Sequence, residues 1–399
     1  MANIRSENMD KTKIELVSFI SFLLGFGQAV LIYIASSYFA AIVGTENVGI
    51  FYLTAYVIEL VLLLSFHKAV SYLGRSRVLL FLLLIKVLAL LALVAVSVSP
   101  FGIFPLIIYI VVGSLSWVAL DMILESCSTD RFSGRIRGLY LTVMNTGFIF
   151  GPFISTYLLG RFNFEGVFVF MAVLYIFIFI FSLISLRGFD GKMVCRPTII
   201  NLLRAVWKRK NVLRAYYISC VLEFFYAMMV IYTPLYLQDL GLGWDKIGII
   251  FTVMLVPFVI LQYPAGFLAD KKTGEKELLI VSLAIMGAST LAVYFVSSTA
   301  VAVWAAVLFI TRIGASLIEV LRDSYFYKRI GSGDIDLIDF FRTARAMAYI
   351  TAAVLSTILL LIFPLKAVFL LVAAVVFSAL YPALKLADNK SEKEIAIHS

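Results

Sequence analysis

Histidine and cysteine are nearly missing from this chain, with 2 and 3 residues among 399. The cysteines, Cys127, Cys195 and Cys220, stand at unrelated spacings, so neither a disulfide framework nor a metal site is indicated. Imidazole is available only at His67 and at the tail residue His398, and no His cluster, metal spacing or nucleophile motif accompanies the acidic residues. That argues against an enzyme, including one embedded in the membrane. Charge is scarce as well, at 14% Asp, Glu, Lys and Arg. The longest polar stretch, Arg187 to Arg214, is about 28 residues and holds no extramembrane enzyme module. A Gly-x-x-x-x-Gly-Lys-Ser/Thr loop is absent, which removes ATP hydrolysis as an energy source and implies no cofactor. The net charge of +9 is spread over several loops and tails and forms no compact basic domain, which leaves nothing for nucleic acid to bind.

What fills the chain is apolar sequence, 62% of all residues, gathered into twelve long segments. They run near Ile14 to Val43, Asn47 to Phe66, Val78 to Val98, Ile103 to Leu124, Leu139 to Gly160, Phe164 to Leu186, Ala215 to Leu237, Ile247 to Ala269, Leu278 to Val296, Ala300 to Tyr327, Leu337 to Ile362 and Leu365 to Leu384. At about 1.5 Å per helical residue, each is long enough to cross a hydrocarbon core of roughly 30 Å. The bilayer offers the backbone no water, so these segments must be helices. The expected fold class is therefore an all-α polytopic membrane protein with twelve transmembrane helices. The first segment is too long for a signal-peptide core and is read as a retained helix.

Basic residues fall on alternate connections. The tails and the connections after the even spans hold 25 Lys or Arg, against 3 on the opposite side, Arg161, Lys246 and Lys366. Both termini are then expected in the cytoplasm, with the chain in the plasma or inner membrane.

The central polar stretch divides the spans six and six, giving residues 1–186 as an N-terminal bundle, 187–214 as a cytoplasmic loop and 215–399 as a C-terminal bundle with its tail. From Pro197 to Arg214 the loop places Ile200, Leu203, Val206 and Trp207 on one face, as a short amphipathic helix on the membrane surface would. The halves carry matching landmarks. Asp121-x-x-x-Glu125-Ser126 near the end of span 4 answers Glu319-x-x-x-Asp323-Ser324 near the end of span 10, and Gly74 after span 2 answers Gly274 after span 8. Two parallel six-helix repeats around a central interface are the expected architecture, that of an alternating-access carrier.

Here the chain resembles the major facilitator superfamily over essentially its whole length. Gly266-Phe-Leu268-Ala269-Asp270-Lys271-Lys272-Thr-Gly274 is similar to the superfamily's loop signature, with one extra residue between Asp270 and Gly274. Gly266 is expected to allow close helix approach. In the first half Gly74-Arg75-Ser-Arg77 remains, but Ser71 stands in place of the aspartate. Span 5 contains Gly147-Phe-Ile-Phe-Gly151-Pro152, which resembles the glycine-proline motif of the antiporter branches and also fits a bent, tightly packed helix without directional meaning. The arginine that proton-coupled antiporters often carry in span 4 is absent.

Ionisable groups inside the spans mark pathways or pairs. The resemblance implies that spans 1, 4, 7 and 10 line a central cavity. Glu223 and Arg312 are then the leading candidates for a solute or coupling-ion site, with Glu319, Gln28, Trp117, Tyr226 and Tyr232 beside them. Each has a plainer alternative: a salt bridge from Arg312 to Glu223 or Glu319, helix-to-helix hydrogen bonding for Gln28, and packing for the aromatics. Asp121, Glu125, Glu319, Asp323, Asp339, Arg342 and Arg345 lie at similar depth on the cytoplasmic side, and ion pairs among these acids and bases are expected to close the inner mouth, with Asp270 against a helix N-terminus or an arginine. Glu59 and Lys86, at similar depth on spans 2 and 3, are expected to pair with one another. The expected function is monomeric, proton-coupled secondary transport of a small organic solute across the bilayer, with export favoured. Uptake of a sugar-like or anionic metabolite anchored by Arg312 is the alternative, and a transport-incompetent sensor or assembly partner is the alternative of another class.

Overall fold

The computed structural model describes residues 2–127, 133–186, 209–269, 274–329 and 335–387. All regular structure among them is helical: α1 (Ala2–Ile32), α2 (Ala35–Val43), α3 (Gly49–Leu73), α4 (Arg75–Val96), a short turn of 3-10 helix (Pro100–Gly102), α5 (Ile103–Cys127), α6 (Ser133–Ser185), α7 (Lys210–Asp239), α8 (Trp244–Ile260), α9 (Gln262–Leu268), α10 (Glu275–Phe295), α11 (Val301–Lys328), α12 (Ile335–Leu359), α13 (Ala367–Ser378) and α14 (Leu380–Leu384).

Ten stretches are long and apolar enough to cross a membrane. One of them, Val143–Ser185, covers both the fifth and the sixth expected spans. The chain turns between the two at Asn163, whose φ of 54° and ψ of −165° interrupt the helical geometry. The eleventh expected span corresponds to the shorter apolar helix Thr343–Leu359, so twelve crossings fit the observed helices. Large apolar side chains face outward, among them Phe101, Leu361 and Val173. In water such a surface would be unstable; against lipid tails it costs nothing.

The chain divides into two compact units, Met1–Cys195 with Gly243–Gly248, and Arg196–Leu242 with Ile249–Ser399. Within the first, α1 packs on α6 and α5, α4 on α5 and α6, and α3 on α5. Within the second, α7 packs on α12 and α11, α10 on α11 and α13, and α9 on α11. By span number the second pattern is the first moved along by six, which is what duplicated halves produce. The loop landmarks repeat too. Gly74 and Gly274 each precede the third helix of their half, α4 and α10, with φ of 94° and 71°. Only glycine adopts that backbone without strain, which explains its place in both copies.

Gly147 and Gly151 are packing surfaces. A Cβ on Gly147 would meet the carbonyl oxygen of Phe22 at 2.5 Å, and one on Gly151 would meet the Ala29 Cβ at 2.3 Å, so α1 and α6 touch backbone to backbone. Pro152 lies in the same turn, and its carbonyl accepts the Thr156 hydroxyl at 2.8 Å. Gly266 behaves otherwise than expected: among the described residues a Cβ there would find only Val320 at 3.9 Å, ordinary contact, so no close helix approach among them depends on it. The amphipathic segment expected at 197–214 lies outside the described residues up to 208, as do Asp270, Lys271, Lys272 and Cys195.

Candidate functional site

Helices α7 and α11 carry the charged centre of the second unit. On α11, Arg312 and Glu319 are seven residues apart and so share a face, and Arg322 follows within one further turn. The sequence left Arg312 a salt bridge to Glu223 or Glu319 as the plainer alternative, and neither forms; Glu223 has another partner. The structure pairs it with Arg322, whose Nη2 donates to Glu223 Oε1 at 3.1 Å. Arg322 Nη1 also donates to the Ser219 hydroxyl at 2.5 Å and to its carbonyl at 3.3 Å, and Nε lies 3.4 Å from Asp323 Oδ1. This arginine is therefore compensated from both helices.

Arg312 is not. It is 2% exposed, it makes no ion pair among the described residues, and its Nε and Nη1 are buried without a hydrogen-bond partner among them. The rings of Phe225 and Tyr226 flank the guanidinium, with centroids 4.9 and 5.9 Å from Cζ. Cation–π contacts supply about 0.5–2 kcal/mol each. Placing a cation in the hydrocarbon zone costs several kcal/mol. The balance leaves Arg312 with donors that call for an acceptor.

Glu319 is held by hydrogen-bond donors. Its Oε2 accepts from the Tyr226 hydroxyl and from the Gln262 amide, each at 3.1 Å, and it makes no ion pair among the described residues. Tyr226 thus touches both Arg312 and Glu319. Tyr232 belongs to the packing between α7 and α12: it is fully buried, and its hydroxyl meets the Ser356 hydroxyl at 2.8 Å.

In the first unit Gln28 and Trp117 do come together, the indole Nε1 donating to Gln28 Oε1 at 2.9 Å. Lys86 corrects the expected pairing with Glu59. The Glu59 Oε1 accepts the Ser114 hydroxyl at 2.5 Å, whereas Lys86 Nζ lies 4.5 and 4.4 Å from the ring centroids of Tyr109 and Tyr175.

At the expected inner mouth, Asp121 is half-buried near the end of α5, and the Arg345 guanidinium lies 5.6 Å from the Tyr349 ring. The side chains of Glu125, Asp339 and Arg342 are outside those described, and so is Asp270. Sequence reasoning missed Glu275, the residue after Gly274. It is fully buried and takes the Lys328 ammonium at 2.5 Å and the Ser324 hydroxyl at 2.8 Å. Its signal was present: Ser324 belongs to the acidic landmark of span 10, and Glu275 directly follows the loop glycine. The described residues hold no group of three or more His, Cys, Asp or Glu fit for a metal ion.

Comparison with known proteins agrees with the fold. Residues 17–333 match the Major Facilitator Superfamily. Among solved structures, a mutant of the nucleoside transporter NupG is similar, with a TM-score of 0.73 at 13% identity, covering 94% of this chain and 99% of that one. The POT family transporter PepTSo is similar too, with a TM-score of 0.73 at 10% identity and coverage of 94% and 96%. At such identities the likeness concerns the fold. No curated protein sequence matches the chain. The family match spans most of its length, and the chain belongs to the Major Facilitator Superfamily, a multi-pass membrane transporter and not an enzyme.

Proposed function

We propose that this chain is a proton-coupled carrier of a small organic anion, working by alternating access, with Arg312 receiving the acidic group. The observation that carries the proposal is the buried guanidinium of Arg312, whose Nε and Nη1 lack partners among the described residues. A planar carboxylate or similar oxyanion fits the fork of an arginine, and it compensates the charge that the protein leaves open.

Glu319, rather than Glu223, is the proposed proton carrier. Glu223 is tied to Arg322 at 3.1 Å, while Glu319 is held only by a hydroxyl and an amide. A half-buried carboxylate that is not tied into a direct ion pair is free to gain and lose a proton. Tyr226 contacts both residues, so occupancy of Arg312 and protonation of Glu319 can be coupled through one ring and its hydroxyl.

Uptake replaces export as the favoured direction. The case for export rested on Gly147, Gly151 and Pro152 and on an aromatic, sparsely polar lining of the central cavity; the close packing of α1 on α6 accounts for those glycines. An anion that travels with one proton moves no net charge. It thereby avoids the roughly 2.3 kcal/mol per 100 mV that an inside-negative potential sets against a lone anion. The bias of 25 basic residues against 3 supports cytoplasmic termini; a plasma or inner membrane and a monomeric working unit complete the reading.

A ligand-induced thermal-shift screen on purified protein, run with paired acidic and neutral solutes, tests the proposal. Stabilisation by acidic members that disappears in Arg312→Gln is expected. Equal stabilisation by the neutral partners would remove the anion from the account. Counterflow of the best ligand in proteoliposomes then separates a carrier from a transport-incompetent sensor, since exchange requires a moving site.

A further inference from the structure

The first unit holds a second buried cation, and nothing in the proposed coupling between Arg312 and Glu319 uses it. Lys86 on α4 is 1% exposed and makes no ion pair among the described residues. Its ammonium is gripped by the rings of Tyr109 on α5 and Tyr175 on α6, which stand 86° to one another with centroids 6.0 Å apart. Two ring contacts offset part of the cost of burying an ammonium, but they accept none of its three N–H donors in the way an oxygen does.

Three further features surround it. The Tyr175 hydroxyl is buried beside that of Tyr109 and makes no hydrogen bond of good geometry among the described residues, a second polar group incompletely satisfied in the same cluster. Gly113 keeps one side of the ammonium clear: a Cβ there would lie 3.2 Å from Lys86 Nζ and 3.8 Å from Gln28 Oε1. Gln28 and Trp117, joined at 2.9 Å, are half-buried, so the cluster passes from the enclosed ammonium to partly accessible side chains. The indole is held by its own N–H, which fixes a flat apolar surface beside that approach.

We propose that Lys86 is the cation of an anion-binding site within the first unit, taking the carboxylate of a flat organic acid whose body lies against Trp117. The carboxylate oxygens accept from the Lys86 ammonium and the Tyr175 hydroxyl, approaching from the side of the half-buried Gln28 and Trp117. The ligand class rests on the anion-carrier proposal; the site itself does not depend on Arg312.

The test uses 4-nitrobenzoate, which quenches indole fluorescence on contact, with 4-nitrobenzamide as its neutral counterpart, on the purified full chain. Quenching by the carboxylate is expected to saturate, to exceed that by the amide at least about tenfold in affinity, and to disappear in Trp117→Phe. Lys86→Gln is expected to weaken it about tenfold or more, whereas Arg312→Gln leaves it unchanged. Equal affinity for acid and amide overturns the site whatever the variants do, and so does the absence of saturable quenching. A folded Lys86→Gln that binds like the unaltered protein also overturns it. Loss in Arg312→Gln with retention in Lys86→Gln would move the anion to Arg312 alone. An intact Trp117 signal beside an acid-insensitive Arg312 would instead leave Lys86 standing and sink the proposal for Arg312.

Discussion

Arg322 and Glu223 form a largely enclosed ion pair in the second unit, Nη2 to Oε1 at 3.1 Å, with side chains only 9% and 14% exposed. Arg312, ten residues earlier on the same helix, makes no ion pair among the described residues. Spacing along a helix fixes which residues share a face, but the rotation of the neighbouring helix decides which of them meets a partner.

Breaking the pair from one side should destabilise the protein. Glu223→Gln alone, or Arg322→Gln alone, is expected to cost up to the roughly 3–5 kcal/mol seen when a buried pair loses one member. The double variant should recover much of that loss. Thermal unfolding of the four proteins in detergent gives the cycle. Additive losses would mean that the two residues act independently.

Glu319→Gln is expected to keep solute exchange and lose accumulation driven by a pH gradient, because exchange needs no net protonation cycle. The amide preserves the size of the side chain and still accepts from Tyr226 through its oxygen. Accumulation that survives in this variant would take the coupling proton away from Glu319.

Two glycines should respond in opposite ways. Gly151→Val drives methyl groups into Ala29 and the backbone of Val30 and should destabilise by about 1–3 kcal/mol or more. Gly266→Ala meets only Val320 at 3.9 Å and should be near neutral. Unfolding temperatures of the two variants measure the contrast, and a tolerated valine at 151 would mean that α1 and α6 do not hold the described approach.

Cysteine labelling checks the orientation. Ser297→Cys, at an exposed position on the sparsely charged side, should react with an impermeant thiol reagent added to intact cells. Ser71→Cys, exposed on the basic side, should not react. The reverse pattern would invert the topology.

The spans were legible in the sequence because a bilayer admits so few ways to satisfy a backbone, and the loop glycines because Gly74 and Gly274 recur beside matching helices. The contact between Gln28 and Trp117 joined two residues already marked as candidates. Side-chain partners between helices were harder to read. Glu59 and Lys86 lie at similar depth, yet the ammonium turned to two tyrosines on α5 and α6 that no local pattern connects to it. Glu275 escaped notice because it looked like one more charge in a basic loop, whereas the fold buries it under Lys328.

Counterflow of an acidic ligand by reconstituted protein, compared between the unaltered chain and folded Arg312→Gln and Arg312→Lys variants, addresses the central claim most directly. An arginine that clamps a planar acidic group predicts rapid exchange in the unaltered protein. It predicts loss in Arg312→Gln, and a large rise in the concentration needed for half-maximal exchange in Arg312→Lys, which keeps the charge but not the fork. Undiminished exchange in Arg312→Gln would contradict the account.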